Sequence, residues 1–215
     1  MNTALKQPFH IAVFGRPLIA GHVKTRLIPA YGIEGATGIY SQLVERTLRA
    51  VVEAGASASL WIAGATTHVS VTDWARRYAL PAHSQCEGDL GARMAHCLVA
   101  LAATHERVLL IGTDCPGLTV DHLQGAAAAL TGTCHWVFTP AEDGGYVLVG
   151  SNAPSGEPFV DIAWSTSEVM AQTRAALRAN SVAWAETATL WDVDVAIDAE
   201  RAHAAGWITD TQKEH

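Results

Sequence analysis

The sequence predicts an α/β fold with a mainly parallel sheet that helices cover on both faces. Three observations support this prediction. Short, continuous apolar runs such as HIAVFG and RVLLIG are typical of buried strands. These runs alternate with longer segments that repeat apolar side chains at helical spacing, as expected of a parallel sheet. Of the 215 residues 49% are apolar and only 16% are charged, a globular composition, so we expect one domain over residues 1–215.

The first half of the chain predicts alternating strands and helices. Apolar runs mark the strands, and apolar side chains along one face mark the helices. The first helix ends at Gly55, because glycine readily adopts the backbone conformation that closes a helix. In chain order, the predicted elements are strand 10–15, helix 33–55, strand 57–64, helices 71–80 and 90–105, and strand 107–112.

The second half continues this alternation. Two adjacent apolar runs flank the segment AEDG, which indicates two strands joined by a loop. Further on, Ser165 and Glu168 have the spacing of a capping box, so we expect Ser165 to cap a helix. In chain order, the predicted elements are helix 120–132, strands 135–140 and 145–150, helix 164–180, strand 182–194 and helix 196–207.

Charge and composition exclude several classes of protein. The net charge of −7 argues against a nucleic-acid-binding protein, which needs a basic surface. The N-terminal segment MNTALKQPFH lacks the apolar core of a signal peptide, and no later stretch is long enough for a membrane helix. The four cysteines form no C-x-x-C pair, which suits reduced thiols. We therefore expect a soluble cytoplasmic protein; the sequence does not decide between a monomer and a homodimer.

The loop GRPLIAGHVKTRL, residues 15–27, has the ingredients of an anion site. Gly15 and Gly21 give the backbone freedom, and Arg16, Lys24 and Arg26 supply three cations. A Walker loop requires four residues between its glycines and a lysine directly after the second glycine. Here five residues separate the glycines, and two more precede the lysine. The sequence therefore disfavours a P-loop ATPase or GTPase but still predicts a local phosphate-binding site.

Carboxylates follow several predicted strands. Asp114 comes directly after RVLLIG, Asp192 and Asp194 end the run TLWDVD, and Asp143 precedes two glycines. Ligands in open α/β sheets lie beyond the carboxyl ends of the strands. Carboxylates in that position favour a hard cation, Mg²⁺ or Mn²⁺.

Each of these acids also has an ordinary structural interpretation. Asp114 could begin a turn or cap the next helix, although Thr119 is better placed to do so. Asp192 and Asp194 could begin a turn, and the D-G pair at Asp143 is by itself a hairpin signal. The ligand role is thus best supported for Asp114.

Other polar and aromatic residues are weaker candidates. Gly88 and Asp89 precede a helix, where backbone donors could meet a phosphate or a ribose, but an ordinary N-cap at Asp89 is equally consistent. Arg93 could face the same cleft or solvent, and Trp164 is a candidate pocket wall. No Ser-His-Asp order is present, and Asp114 would oppose a thiolate at Cys115, so covalent catalysis is disfavoured.

Six motifs in order make the chain resemble a known bacterial family. It resembles the radical-SAM/selenodomain-associated transferases, a branch of the nucleotide-diphospho-sugar transferase superfamily, and is similar to the 2-phospho-lactate guanylyltransferases. The resemblance runs from His10 to about Asp198. The segments that carry it are PLIAGHVKTRL, GDLGARM, GTDCPGL, PAEDGGYVLVG, IAWST and DVD.

The resemblance implies a GT-A type fold, a Rossmann-like three-layer sandwich with a mixed, mostly parallel sheet. It also implies that the nucleotide lies over the loop after the first strand. The implied nucleotide-binding residues are Gly15, Arg16, Gly21, Lys24, Arg26, Gly88 and Asp89. The implied metal ligands are Asp114, Asp192 and Asp194, and the implied acceptor-binding residues are Asp143, Gly144, Gly145, Trp164, Ser165 and Thr166.

One departure from the family pattern bears on the reaction. Many glycosyltransferases of this fold carry a D-x-D motif, whereas residues 113–116 read TDCP with one acid only. The cations of the first loop suit a triphosphate whose pyrophosphate leaves. We therefore expect metal-dependent nucleotidyl transfer from an NTP to a small anionic acceptor, with Lys24, Arg26 and Asp114 as the catalytic residues. The alternatives are glycosyl transfer from a nucleotide-sugar and a non-catalytic nucleotide-binding protein.

Overall fold

The computed structural model describes residues 9–209, apart from the side chain of Glu157, and contains seven strands and six α-helices. The strands are β1 His10–Gly15, β2 Ser57–Ile62, β3 Ala82–Ser84, β4 Val108–Ile111, β5 Trp136–Pro140, β6 Tyr146–Ser151 and β7 Trp184–Glu186. The helices are α1 Ile28–Glu53, α2 Val69–Tyr78, α3 Leu90–Ala102, α4 Val120–Ala129, α5 Val169–Ala179 and α6 Ala196–Ala204. Short 3-10 turns lie at Thr25–Leu27 and Glu157–Phe159.

All seven strands form one mixed sheet in the order β3-β2-β1-β4-β6-β5-β7. The pairs β3-β2, β2-β1, β1-β4 and β5-β7 are parallel, and β6 is antiparallel to both of its neighbours. The reversal of β6 follows from the short AEDG connection, which allows only a hairpin between β5 and β6. The predicted mixed, mostly parallel sheet is confirmed.

Helices cover both faces of this sheet, as predicted. Along β1 the side chains alternate between the faces. Ile11 and Val13 pack with α1, α2 and α4, whereas Ala12 and Phe14 pack with α3 and α5. A third apolar cluster joins α6 to α1 through residues such as Ile39. The fold is therefore a three-layer sandwich with one added helix.

The topology places the first loop beside the end of β4. Val13 of β1 pairs with Ile111 of β4, so the two strands end side by side. The loop after Gly15 and the segment after Ile111 consequently start at the same edge of the sheet. This adjacency brings Lys24 and Asp114 within reach of each other.

Several predicted boundaries differ from the structure. The first helix begins at Ile28, five residues before the prediction, and includes a break at Gly32. The last predicted strand, 182–194, is a regular strand only over Trp184–Glu186. The three-residue strand β3 was missed because AHS is not an apolar run.

The prediction that Ser165 caps a helix is wrong. Helix α5 begins at Val169, and Glu168 is its N-cap residue. The backbone of Ser165 is left-handed, with φ of 65°, and the loop around it bonds internally instead. The hydroxyl of Thr166 donates to the carbonyl of Ala163 and accepts from the N–H of Glu168.

The structure bears on the expectations about the cysteines and about membrane-spanning helices. All four cysteines are free thiols, as predicted. Among residues 9–209, no helix is both long and apolar enough to cross a membrane. Residues 1–8, in which we expect no signal peptide, lie outside the described part of the chain.

A buried histidine begins the central strand. His10 is 5% exposed, and its two ring nitrogens each lie 2.8 Å from a hydroxyl, those of Ser57 and Ser59. The His105 ring lies 4.3 Å from the His10 ring, between centroids. Burial, followed by the nearby charges of His105 and His83, lowers the pKa of His10 to about 4. The imidazole is therefore neutral in the fold at neutral pH.

We predict that acid destabilises the protein through His10. The unfolded chain takes up a proton near pH 6.5, whereas the folded protein resists protonation until about pH 4. The contribution of neutral His10 to the free energy of unfolding is then fully present above pH 6.5. It falls between pH 6.5 and 4, by on the order of 3 kcal/mol if His10 acts alone. Urea unfolding across this range measures the loss. His10→Gln should flatten the profile, and His135→Gln should leave it unchanged; equal profiles for the wild type and His10→Gln would refute the prediction.

Candidate active site

An open cleft of about 570 Å³ lies at the carboxyl edge of the sheet. Its walls include Gly15, Ala63 and Gly112, which lie at or just beyond the ends of β1, β2 and β4. This is the edge at which open α/β sheets bind ligands. Of the residues predicted for the site, eight line the cleft: Gly15, Arg16, Lys24, Arg26, Asp114, Ser165, Asp192 and Asp194.

Lys24 is a buried cation on the cleft wall. Its side chain is 6% exposed, and its Nζ lies 2.8 Å from Oδ1 of Asp114 and 3.2 Å from Oδ1 of Asp194. Burial alone would lower the pKa of Lys24, but the charges of Asp114 and Asp194 outweigh burial and raise it. The ammonium therefore stays charged between two carboxylates that are distant in the sequence.

The backbone of Lys24 is strained. It has φ of 46° and ψ of 43°, a left-handed conformation that costs a non-glycine residue on the order of 1 kcal/mol. Its carbonyl accepts from the N–H of Leu27 and so starts the 3-10 turn that leads into α1. The ion pairs with the two carboxylates offset this strain.

Backbone hydrogen bonds bring Asp194 to Asp114. The N–H of Val193 donates to the carbonyl of Asp114 at 2.9 Å, so segment 192–194 runs beside the residue after β4. The Asp198 carboxylate accepts from the N–H groups of Asp194 and Val195 and fixes the start of α6. Asp198 is therefore an early helix residue of α6 with a capping role.

Asp192 has a different environment from the other two acids. Burial and then the charge of Asp114 raise the pKa of Asp192, Lys24 opposes both effects, and the net value is about 8. Asp192 thus holds a proton at neutral pH in this charge arrangement. The same pocket also suppresses nucleophilic chemistry at Cys115, because burial and then Asp192 raise the pKa of that thiol to about 12.

The carboxylates fit a divalent ion only in part. Within residues 9–209, no group of three or more His, Cys, Asp or Glu side chains is placed to hold a metal ion. Asp114 and Asp194 nevertheless direct one oxygen each at a single cation, the Lys24 ammonium. Mg²⁺ is commonly held by one or two carboxylates together with substrate phosphates. The donor set suits that second kind of site, and the ligand roles of all three acids remain predictions.

The two arginines of the first loop differ from Lys24 because they face solvent. Arg16 is exposed, and its backbone N–H donates to the hydroxyl of Tyr40 at 2.9 Å. The guanidinium of Arg26 is 68% exposed and lies 3.6 Å from Oδ2 of Asp194. Gly21 has φ of 78° in the turn between them and is not part of the cleft wall. Arg16 and Arg26 are therefore the cations that an incoming anion meets first.

The segment predicted to bind the base or ribose lies beside the cleft. Asp89 is the N-cap of α3, and its carboxylate accepts from the N–H of Ala92 at 2.8 Å, so the capping alternative is confirmed. Neither Gly88 nor Asp89 lines the cleft, whereas Arg93 does and donates to the side-chain oxygen of Gln85 at 3.4 Å. The nucleotide role of Gly88 and Asp89 remains a prediction.

The predicted acceptor segments pack against each other. Asp143 is exposed and accepts from the N–H of Gly145, so the hairpin alternative is confirmed. The carbonyl of Gly144 accepts from the N–H of Met170, and a Cβ at Gly144 would overlap the carbonyl of Ser167. This contact fixes the AEDG turn against the loop at 164–168.

Only Ser165 of the six predicted acceptor residues lies on the cleft wall. Trp164 packs behind that wall instead. Its ring lies against Gly91 of α3, where a Cβ would come within 2.7 Å, and 6.4 Å from the ring of Tyr146. Asp143, Gly144, Gly145 and Thr166 are also absent from the wall. The acceptor roles remain predictions.

Sequence reasoning missed several residues that line the cleft. Tyr40 is part of the amphipathic pattern of α1, so nothing in the sequence separated it from core residues. Its hydroxyl, however, contacts the backbone of Arg16 and lies 3.5 Å from the hydroxyl of Thr113. Gln85 and Tyr146 also line the cleft. Gln85 lies just before the segment GDLGARM, and Tyr146 lies within PAEDGGYVLVG, so their places in the family resemblance were the available signal.

The family can be assigned from residues 47–166. They match the family model described as "Uncharacterized protein conserved in bacteria (DUF2064)". The chain belongs to this family. No curated protein matches the chain.

Several solved structures that share the fold are described as transferases or synthases. A protein provisionally described as a nucleotide-diphospho-sugar transferase, from Desulfovibrio desulfuricans, is 25% identical with a TM-score of 0.80, and the match covers 88% of this chain and 83% of that chain. The 4-diphosphocytidyl-2C-methyl-D-erythritol synthase of Anaerococcus prevotii is 12% identical with a TM-score of 0.62, covering 94% and 97%.

A glycosyl-transferring enzyme also has this fold. The glucosyl-3-phosphoglycerate synthase of Mycobacterium tuberculosis, in complex with Mn²⁺ and UDP, is 9% identical with a TM-score of 0.52, covering 93% of this chain and 76% of that chain. The predicted α/β fold is that of nucleotide-diphospho-sugar transferases. Identities of 12% and 9% establish the fold alone.

We predict that Gly144→Ala destabilises the protein by more than about 2 kcal/mol, because φ of 90° and the overlap with Ser167 both oppose a side chain. Urea unfolding measures the change. Gly125→Ala is the matched control. Gly125 lies inside α4 with no atom within 4 Å of an added Cβ, so that variant should be more stable than the wild type by about 1 kcal/mol. Equal effects of the two substitutions would contradict the prediction.

Proposed function

We propose that this protein is a nucleotide-using transferase that moves a nucleotidyl group from an NTP to a small anionic acceptor and releases pyrophosphate. The observation that carries the proposal is the charge arrangement of the cleft. Lys24 joins Asp114 to Asp194, while Arg16 and Arg26 face solvent at the same edge of the sheet. The match at 25% identity to a protein provisionally described as a nucleotide-diphospho-sugar transferase supports the broader transferase class.

Polyphosphate binding is assigned to the first loop. Arg16 and Arg26 are exposed cations with room for phosphate oxygens, and Tyr40 holds the backbone at Arg16 in place. The part of the cleft lined by Gln85 and Met94 is then available for the nucleoside. The family resemblance also assigns Gly88 and Asp89 to the nucleoside, from a position beside this wall.

The transfer step requires charge neutralisation more than acid–base chemistry. An acceptor phosphate or carboxylate oxygen attacks the α-phosphorus, the bond from that phosphorus to the bridging oxygen breaks, and the electron pair leaves on pyrophosphate. Lys24 and Arg26 would stabilise the negative charge of that leaving group. No protein base is needed, because the attacking oxygen is already anionic.

A divalent ion is part of the proposed function. Asp114 and Asp194 would hold Mg²⁺ or Mn²⁺, with Asp192 as a third ligand after loss of its proton. The ion would supply positive charge that the phosphates share. The acceptor would approach from the side of Ser165, which is on the cleft wall and rests against the AEDG turn through the 164–168 loop.

Glycosyl transfer is the second candidate function. It is favoured by the common fold with the glucosyl-3-phosphoglycerate synthase, whose structure contains UDP and Mn²⁺. The single acid in residues 113–116 argues against it. The two reactions release different products, pyrophosphate in one and a nucleoside diphosphate in the other.

Some finer assignments belong to this proposal as well. We assign the protein to the cytoplasm, consistent with its four free cysteines. The association with radical-SAM and selenodomain proteins, and the likeness to 2-phospho-lactate guanylyltransferases, remain predictions from the six motifs.

An assay panel tests the proposed reaction. Purified protein is incubated with Mg²⁺ or Mn²⁺, with each NTP or several nucleotide-sugars, and with phosphorylated and carboxylate acceptors. We expect pyrophosphate release with at least one NTP and acceptor. Release of nucleoside diphosphate from a nucleotide-sugar would establish the alternative, and nucleotide binding without any product would indicate a binding protein.

We predict that Asp114→Asn lowers turnover by at least about 100-fold, because it removes one of the two carboxylates that face Lys24. The matched control is Asp121→Asn, an exposed acid in the first turn of α4 that should retain full turnover. Rates are compared at saturating nucleotide, with unfolding midpoints as a check on the fold. Full turnover by Asp114→Asn would remove its proposed role.

A further inference from the structure

The Lys24 ammonium occupies the position between Asp114 and Asp194, where the two facing carboxylate oxygens could also hold a divalent ion. Its Nζ is within 3.2 Å of one oxygen of Asp114 and one of Asp194. The lysine side chain is 6% exposed, whereas those of Asp114 and Asp194 are 41% and 42% exposed. The carboxylates therefore face the cleft, and the ammonium reaches them from the protein side.

An ammonium and a divalent ion compete for these two oxygens, because two cations repel each other when they contact the same pair of carboxylate oxygens. The free protein thus satisfies its two carboxylates with an internal cation. A metal that binds Asp114 and Asp194 through these same oxygens must displace Lys24.

A displaced Lys24 side chain can pair with a bound polyphosphate instead. The side chain has a flexible four-carbon stem, and Lys24 lies on the cleft wall between the exposed cations Arg16 and Arg26. A polyphosphate attracted by those arginines offers the anionic oxygens that the ammonium would lose. Neither Arg16 nor Arg26 can replace Lys24, because both are exposed rather than enclosed between the acids.

We propose that Lys24 is an exchangeable counter-ion: it neutralises Asp114 and Asp194 in the free protein and moves to the polyphosphate when a divalent ion takes its place. This inference rests on the proposed function and adds a regulation of the same site. Its consequence is that metal and nucleotide bind with positive coupling, each favouring the other by the same factor. Without nucleotide, the metal competes with the lysine.

The test measures metal binding in the absence of nucleotide. Mn²⁺ is titrated into the full-length protein, and free Mn²⁺ is followed by electron paramagnetic resonance. We predict that Lys24→Met tightens Mn²⁺ binding at least about tenfold, because the competing cation is gone. Adding Asp114→Asn to this variant should abolish the gain.

Arg26→Met is the matched control. It removes a cation near Asp194 that is exposed and 3.6 Å away, so Mn²⁺ affinity should change less than about threefold. The inference is overturned if Lys24→Met leaves Mn²⁺ affinity unchanged or lower, if neither protein binds Mn²⁺, or if Asp114→Asn leaves the gain intact.

A second measurement does not require the variant to fold. The chain has three lysines, Lys6, Lys24 and Lys213, so ¹⁵N labelling of lysine side chains gives few signals. In the free wild-type protein, one ammonium signal should show slow hydrogen exchange, as expected for a buried ion pair. Saturating Mg²⁺ alone should shift or broaden that signal, and no change at saturation would overturn the exchange.

Failure of this inference is distinguishable from failure of the proposed function. If the wild type releases pyrophosphate but Lys24→Met gains no Mn²⁺ affinity, nucleotidyl transfer is supported and the counter-ion exchange of Lys24 is refuted. If no nucleotide product forms under any condition, the proposed reaction fails. The Mn²⁺ and ammonium measurements still decide whether Lys24 and the metal compete.

Discussion

The site depends on the balance of charge between one buried ammonium and two carboxylates. Lys24 lies after β1, Asp114 after β4 and Asp194 before α6, and their ion pairs join these segments at the carboxyl edge of the sheet. A buried lysine without partners would lose its charge or expel the loop that carries it. The hydrogen bond from Val193 to the Asp114 carbonyl holds the two acidic segments at the spacing that the lysine needs.

Much of the fold could be predicted because local and global signals agree. Continuous apolar runs gave β1, β4, β5 and β6, and the alternation with amphipathic helices gave the layered sheet. The elements that escaped prediction are those whose stability comes from their neighbours. Strand β3 has no apolar run and exists because Leu60 to Ile62 of β2 offers it backbone partners. The start of α5 was misplaced because Ser165 takes part in loop packing rather than capping.

The candidate site was predictable to the extent that it follows strand ends. The segments after β1 and β4 start at one edge of a parallel sheet, so the loop that carries Lys24 could be expected from the sequence at the same edge as Asp114. The pairing itself could not be expected, because nothing in the residue pattern shows that Lys24 adopts a left-handed backbone and turns inward. Tyr40 was not predicted as a site residue because it lies on the apolar face of a helix, where the sequence pattern indicates a core residue. The contact of its hydroxyl depends on the path of a loop that is distant in the sequence.

The two edge strands of the sheet are also its shortest strands. Both β3 and β7 have three residues, whereas the strands between them have four to six. An edge strand exposes unpaired backbone groups that can recruit a strand from another molecule, and a short edge offers few of them. The seven-stranded sheet thus resists growing sideways into aggregates, even though its interior strands are almost entirely apolar.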